Sequence, residues 1–243
     1  MKVINRGMGG KNRYPRCQCD PNCNLPPLEK SAFCIKHQQC ANFSPLTGYE
    51  PSFEPAIWNT PKVKPTHNCF AYAYQFLDIP STEKCTNESC PLAFPQPGRA
   101  SGYPKWSKVK GKRCPDIIAR ALGDVPGSIR TTFKNKCPKG MRKIAFIADP
   151  KEDYHVLRQD KTGKWSHKPG GTEVKDVDAS GRPIMNPELA NFYYPDSGLD
   201  YTKFCSFLCI PATKKFKLKR TGGKRRTKKR SFSKKMSRKR TIF

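Results

Sequence analysis

The chain has 243 residues, enough for one ordinary domain with appendages, and carries a formal charge of +28 from 47 Lys/Arg against 19 Asp/Glu. Hydrophobic residues make up 36% and no run of 18 apolar residues occurs, so the sequence offers no membrane-spanning helix. The N-terminal MKVINRGMGGKNRYPRC lacks the apolar core of a signal peptide, so classical secretion is not expected.

In chain order, residues 1–16 form a Gly- and Lys/Arg-bearing arm. Residues 17–40 concentrate metal-type ligands, Cys17, Cys19, Cys23, Cys34, His37 and Cys40, in the spacing C-x-C-x3-C-x10-C-x2-H-x2-C. Zinc takes four such ligands in a tetrahedron, and pairs a few residues apart supply them in twos. Cys34, His37 and Cys40 with one or two of Cys17, Cys19 and Cys23 would suffice. The competing expectation is disulfide stapling of a segment too short to form a core. Twelve cysteines without a signal peptide bear on that choice. A reducing cytosol favours metal or catalysis, whereas a particle that leaves the cell becomes oxidised afterwards.

Residues 41–66 hold Pro45, Pro51, Pro55, Pro61 and Pro65 and read as an extended strap. The main domain spans 67–213. Asn68 is a suitable N-cap for a helix from Cys69 to about Leu77, stopped before Pro80. Residues 83–113 are loop-like and include Cys85 and Cys90. A second helix is predicted over Pro115–Leu122, with proline in its first turn and Gly123 closing it. The apolar run Arg142–Ala148 suits a buried strand. Tyr154–Gln159 and Lys164–His167 form a hairpin around Asp160–Gly163, and Phe204–Pro211 is a last strand. Cys85, Cys90, Cys114, Cys137, Cys205 and Cys209 read as structural, with Cys205 and Cys209 on one face of that last strand. A cysteine-bearing helix on an antiparallel, histidine-bearing sheet is an α+β arrangement.

Cys69, at a helix start, would gain from the unpaired amides there as a thiolate nucleophile. His155 is placed to act as its base, and His167 on the partner strand as the group that orients that base. Backbone amides near Cys69 could supply an oxyanion hole. The bland alternatives are a small core cysteine and bystander histidines. His67 is either an extra site residue or a polar residue preceding the helix, and Asp178, in DVDASG, is either a substitute orienter or a turn former.

The segments NCFAYA, DYHVLRQD, GKWSHKPGG, DVDASG, NPELANFYY and LDYTKFCSFLCIP resemble a papain-like domain of the NlpC/P60 kind, over residues 67 to about 211. The version most resembled is that of bacteria, phages and large nucleocytoplasmic DNA viruses. The resemblance implies Cys69 as nucleophile, His155 as base and His167 as orienter. Members hydrolyse amide or peptide bonds, often in peptidoglycan, and some are structural. SAFCIKHQQC, SPLTGYEP and the basic end also look like proteins of such viruses.

Residues 214–243 carry 16 Lys/Arg and no acidic residue, leaving +12 on the remainder. A block so dense in like charge is expected to be disordered alone and to seek polyanions: nucleic acid, an acidic protein surface or anionic lipid. It also matches a nuclear-localisation pattern.

Together these readings lead to the expectation of a virion protein of a large DNA virus, a minor capsid or internal component made in the host cytoplasm. Its partners would be other capsid proteins, with viral DNA or an acidic surface held by the tail, and zinc its metal. An active cysteine peptidase or amidase cutting peptide, isopeptide or peptidoglycan bonds is the alternative. A zinc-knuckle nucleic-acid-binding protein is the third.

Overall fold

In the computed structural model, residues 14–77, 95–106 and 112–213 are described. Most of the N-terminal arm, Cys85, Cys90 and the basic tail lie outside them. The described residues include three short α-helices: α1 (Pro55–Trp58), α2 (Cys69–Ala73) and α3 (Cys114–Asp124). The strands are β1 (Ile129–Thr131), β2 (Met141–Asp149), β3 (Asp153–Gln159), β4 (Trp165–His167), β5 (Tyr193–Tyr194), β6 (Leu199–Asp200) and β7 (Lys203–Pro211). Five of them make one antiparallel sheet in the order β1-β7-β2-β3-β4, and β5 pairs with β6. The chain is therefore α+β, with a Cys-rich N-terminal segment.

β2 shows no polar alternation because both of its faces are covered. Ile144, Phe146 and Ala148 pack with Phe70, Ala73, Ile117, Ile118 and Val156 on the helix side. Ala145 and Ile147 pack with Leu157, Trp165, Ile184, Phe192 and Phe207 on the other.

Two helix expectations need correction. α2 ends at Ala73, not Leu77: the Phe76 amide donates to the Ala71 carbonyl (2.8 Å) and the Gln75 amide to that of Tyr72 (3.1 Å), with Gln75 at φ +53°. This pair of bonds around a left-handed residue closes a helix. α3 runs through Gly123 instead of stopping at it. A Cβ on Gly123 would lie 3.0 Å from Ser101 Oγ, so the glycine permits close approach of the loop that Asp124 holds. That carboxylate accepts from the Gly98 amide (2.6 Å) and from the amide and hydroxyl of Ser101 (2.8 and 2.7 Å).

Cys205 and Cys209 do not share a face. Phe146 pairs with Ser206 and Ile147 with Phe204, so Cys205 is an extra residue in β7. Such a bulge reverses the alternation. Cys205 bonds to Cys114 at the start of α3, and Cys209 to Cys137 in the loop before β2.

The strap is fastened by buried cations, since a charge without water needs closely placed acceptors. Lys143 Nζ donates to Ser44 Oγ (2.8 Å) and to the carbonyls of Phe133 and Asn135 (2.8 and 2.7 Å). Arg158 stacks on Tyr72, 3.8 Å from the ring centroid, pairs with Asp160 (3.1 Å) and donates to the Ser52 carbonyl (2.7 Å). Lys168 Nζ donates to the Lys64 and Gly170 carbonyls (2.6 and 2.8 Å). Residues 41–66 are thus laid along the sheet by cations of β2, β3 and the end of β4.

Candidate functional site

Asn68 starts α2 as expected, its side-chain oxygen accepting from the Ala71 amide (3.0 Å) while its own amide donates to the Pro95 carbonyl (2.9 Å). That cap fixes Cys69 at the first helical position. β4 pairs with β3 only at Leu157–Gln159, leaving no partner strand along that edge of Asp153–Val156 among the described residues. A cavity of about 440 Å³ opens at this edge, and its lining includes Cys69, His155, Asp153, Gln96, Lys175 and Tyr201. Cys69 reaches it from the helix face of the sheet and His155 from the opposite face.

His155 and His167 meet edge to face, with Nε2 of His155 2.7 Å from Nδ1 of His167. Nε2 of His167 lies 3.0 Å from the Val177 carbonyl. A carbonyl only accepts, so Nε2 of neutral His167 carries the proton and its Nδ1 accepts from Nε2–H of His155. Nδ1 of His155 is left as a lone pair with no hydrogen-bond partner among the described residues.

The electrostatics keep every member neutral at rest. Burial pushes the Cys69 thiol up to about 12, with the Asp153 carboxylate adding to it, against smaller lowering by the Val156 and Phe70 amides. Burial and the neighbouring ring hold His155 well below the usual imidazole range, and burial brings His167 down to about 4. No thiolate–imidazolium pair therefore stands at rest.

His67 is not among the cavity residues. It is fully buried under the strap, its Nδ1 3.1 Å from Thr66 Oγ1 and its ring edge-on to Trp58. Asp178 is a turn former: Oδ1 accepts from the Ser180 amide and hydroxyl and from the Arg182 amide, and Oδ2 from the Asn191 amide. It thereby shapes the loop whose Val177 carbonyl holds His167. No linear pattern marks Asp153, whose carboxylate accepts from Tyr201 OH (2.9 Å) and Lys112 Nζ (2.7 Å) at the cavity wall.

In the N-terminal segment Cys19 and Cys40 are joined as a disulfide, which removes both from the expected ligand set. Cys17, Cys23, Cys34 and His37 remain together, with all four ligand atoms within 4.8 Å of one another. His37 Nδ1 is 3.3 Å from the sulfurs of Cys17 and Cys34, and the sulfurs of Cys23 and Cys34 are 3.6 Å apart. A tetrahedral ion with bonds of about 2.3 Å to sulfur and 2.0 Å to nitrogen needs edges of roughly 3.5–3.8 Å. This group could therefore bind a metal with little movement. The disulfide joins Cys19, two residues after the first ligand, to Cys40, three residues beyond the last.

No helix among the described residues is long and apolar enough to cross a membrane. No protein-family model and no solved structure matches the chain. Insoluble matrix shell protein 1 of the mollusc Ruditapes philippinarum is 35% identical to it over 140 residues, covering 57% of this chain and 80% of the relative. That match corrects the expected location in a virus particle made in a host cytoplasm, because the related protein is named for an insoluble shell matrix.

Proposed function

Because the chain belongs to the family of insoluble matrix shell protein 1, we propose that it is a disulfide-stapled matrix protein bearing a thiol acyl-transfer centre. In this reading the domain is papain-like, of the NlpC/P60 kind, and acts on amide or peptide bonds. The observation that carries it is the chain of ring nitrogens from the Val177 carbonyl through His167 to His155, which leaves Nδ1 of His155 as a lone pair on a residue that lines the same cavity as Cys69.

Each residue then has one task. Nδ1 of His155 takes the thiol proton as Cys69 Sγ attacks the carbonyl carbon of an amide. The same imidazolium returns that proton to the leaving nitrogen, and a thioester remains on Cys69. Water or an amine attacks the thioester next and regenerates the thiol. His167 keeps the tautomer and stabilises the transient imidazolium.

Zinc is the ion proposed for Cys17, Cys23, Cys34 and His37, since three thiolates and one imidazole form a closed structural set for it. Three disulfides among the described residues suit an oxidising compartment outside the cell. The Lys/Arg-rich residues 214–243 would hold the protein to polyanions of the matrix. A purely structural role is the second reading, favoured by the 6% exposure and raised pKa of the thiol.

The test is acylation by p-nitrophenyl acetate, followed by intact-mass and peptide mapping. The expected result is a burst of one p-nitrophenol per chain with the acetyl group on Cys69, lost in Cys69→Ala and at least 100-fold slower in His155→Ala. An unmodified Cys69, or acylation indifferent to His155, would leave the structural reading standing.

A further inference from the structure

Gln18 stands between a metal-type ligand, Cys17, and a disulfide cysteine, Cys19, yet its side chain is 1% exposed and leaves the N-terminal segment altogether. Its Nε2 donates to the Pro183 carbonyl (3.0 Å), and its Oε1 accepts from the amides of Met185 and Asn186 (2.7 and 3.0 Å). Three bonds from one amide to backbone some 165 residues away are a specific attachment, because each orphaned group would otherwise be buried without a partner.

The backbone it grips is one strand of a ribbon that runs back to His167. Pro183 faces Val177 in an isolated bridge, the Ile184 amide donates to the Asp176 carbonyl (3.0 Å), and the Trp165 amide donates to the Ile184 carbonyl (2.9 Å). The other strand of the ribbon is tied to His167 itself through two bonds with Lys175, each 2.8 Å. Its Val177 carbonyl receives the proton of His167 Nε2. From Cys17 to His155 the path crosses only hydrogen bonds and the backbone of this ribbon.

We propose that Gln18 is a positioning residue through which metal binding at Cys17, Cys23, Cys34 and His37 holds the Val177 carbonyl, and with it the tautomer of the His155–His167 pair. With the metal bound, Cys17 and Gln18 are anchored and the ribbon cannot slide. Without it, the short N-terminal segment keeps its disulfide and backbone bonds such as that from the Gln18 amide to the Ala32 carbonyl (2.9 Å) but loses the anchor at Cys17, and Val177 gains freedom relative to His167. The active orientation of His155 then depends on an ion that never touches the cavity. This inference extends the reading of Cys69 and His155 as an acyl-transfer pair, but its physical content is separate from turnover.

The experiment follows the imidazole N–H protons of His155 and His167 by NMR in the full chain, with zinc chloride added and after treatment with EDTA, and in zinc-loaded Gln18→Ala. Backbone amides of β2 serve as the control for global opening. Zinc removal is expected to speed exchange of the His167 Nε2 proton by at least tenfold with β2 amides unchanged, and Gln18→Ala to do the same with zinc still bound. Ring exchange that changes less than twofold, or only in step with β2, overturns the coupling. Should Gln18→Ala fail to fold, the comparison of zinc-loaded and EDTA-treated wild type decides alone. Metal-dependent ring exchange in a protein whose Cys69 is never acylated would uphold the coupling and remove the acyl-transfer reading.

Discussion

Nε2 of His155 and Nδ1 of His167 are 2.7 Å apart, with His167 fully buried and His155 4% exposed at the cavity. The proton between them belongs to His155, since His167 spends its own on the Val177 carbonyl. His167→Gln keeps an acceptor within reach and should retain Cys69 acylation to within about tenfold. His167→Phe keeps the volume, removes the acceptor and should slow acylation by roughly 100-fold or more. Burst kinetics with p-nitrophenyl acetate compare the two, and a Phe variant as fast as wild type would show that His155 needs no orienter.

The same pair makes the fold acid-sensitive. Both rings titrate below their ordinary value of 6.5 when folded, His167 at about 4. The unfolded chain therefore binds protons the native state refuses, and stability falls as pH drops below about 6.5. At pH 5 the loss should be on the order of 2 kcal/mol for His167, with a further loss in the same direction from His155. Urea midpoints at pH 7 and 5, compared with those of the His155→Gln/His167→Gln double variant, isolate the effect. Identical pH dependence in both proteins would mean that the rings accept protons in place.

Lys143→Met should destabilise by about 2–4 kcal/mol, because the carbonyls of Phe133 and Asn135 and the hydroxyl of Ser44 lose a buried donor at once. The strap should also become the first segment cut by protease. Limited proteolysis with mass mapping reads this directly, and a variant as resistant as wild type would assign the strap's hold to Arg158 and Lys168.

Cys114–Cys205 and Cys137–Cys209 span 91 and 72 residues of sequence. Replacing either pair by serine should cost about 3–5 kcal/mol, since loops of that size leave the unfolded chain much freer. Thermal midpoints of the two double-serine variants test it. A shift of less than about 2 °C in either would show that the bond does not restrict the unfolded chain as loop size predicts.

The central sheet was legible because β2 is an apolar run covered on both faces, and because Asp160–Gly163 is turn chemistry between β3 and β4. The Asn68 cap and the order Cys69, His155, His167 were legible for similarly local reasons. Strands of two or three residues such as β1, β5 and β6 are too short to show a period. The sorting of six N-terminal ligands into one disulfide and one four-atom cluster depends on which side chains turn inward, which spacing alone does not express. The face of Cys205 was misread because a bulge resets the alternation, and bulges leave no mark on composition. Gln18 was invisible for a deeper reason: its three partners lie at Pro183, Met185 and Asn186, and nothing about a glutamine between two cysteines announces them.

The bulge at Cys205 has a mechanical consequence. β7 is bonded covalently above the sheet to α3 and below it to the loop before β2, and it runs directly into the basic residues that begin at Lys214. Tension applied through those residues reaches β7 first. It would then pass sideways through two sulfur bridges into both layers of the domain instead of unzipping the strand from its neighbours one hydrogen bond at a time. A protein tethered at that end to an insoluble solid would yield at its tether before it yielded at its sheet.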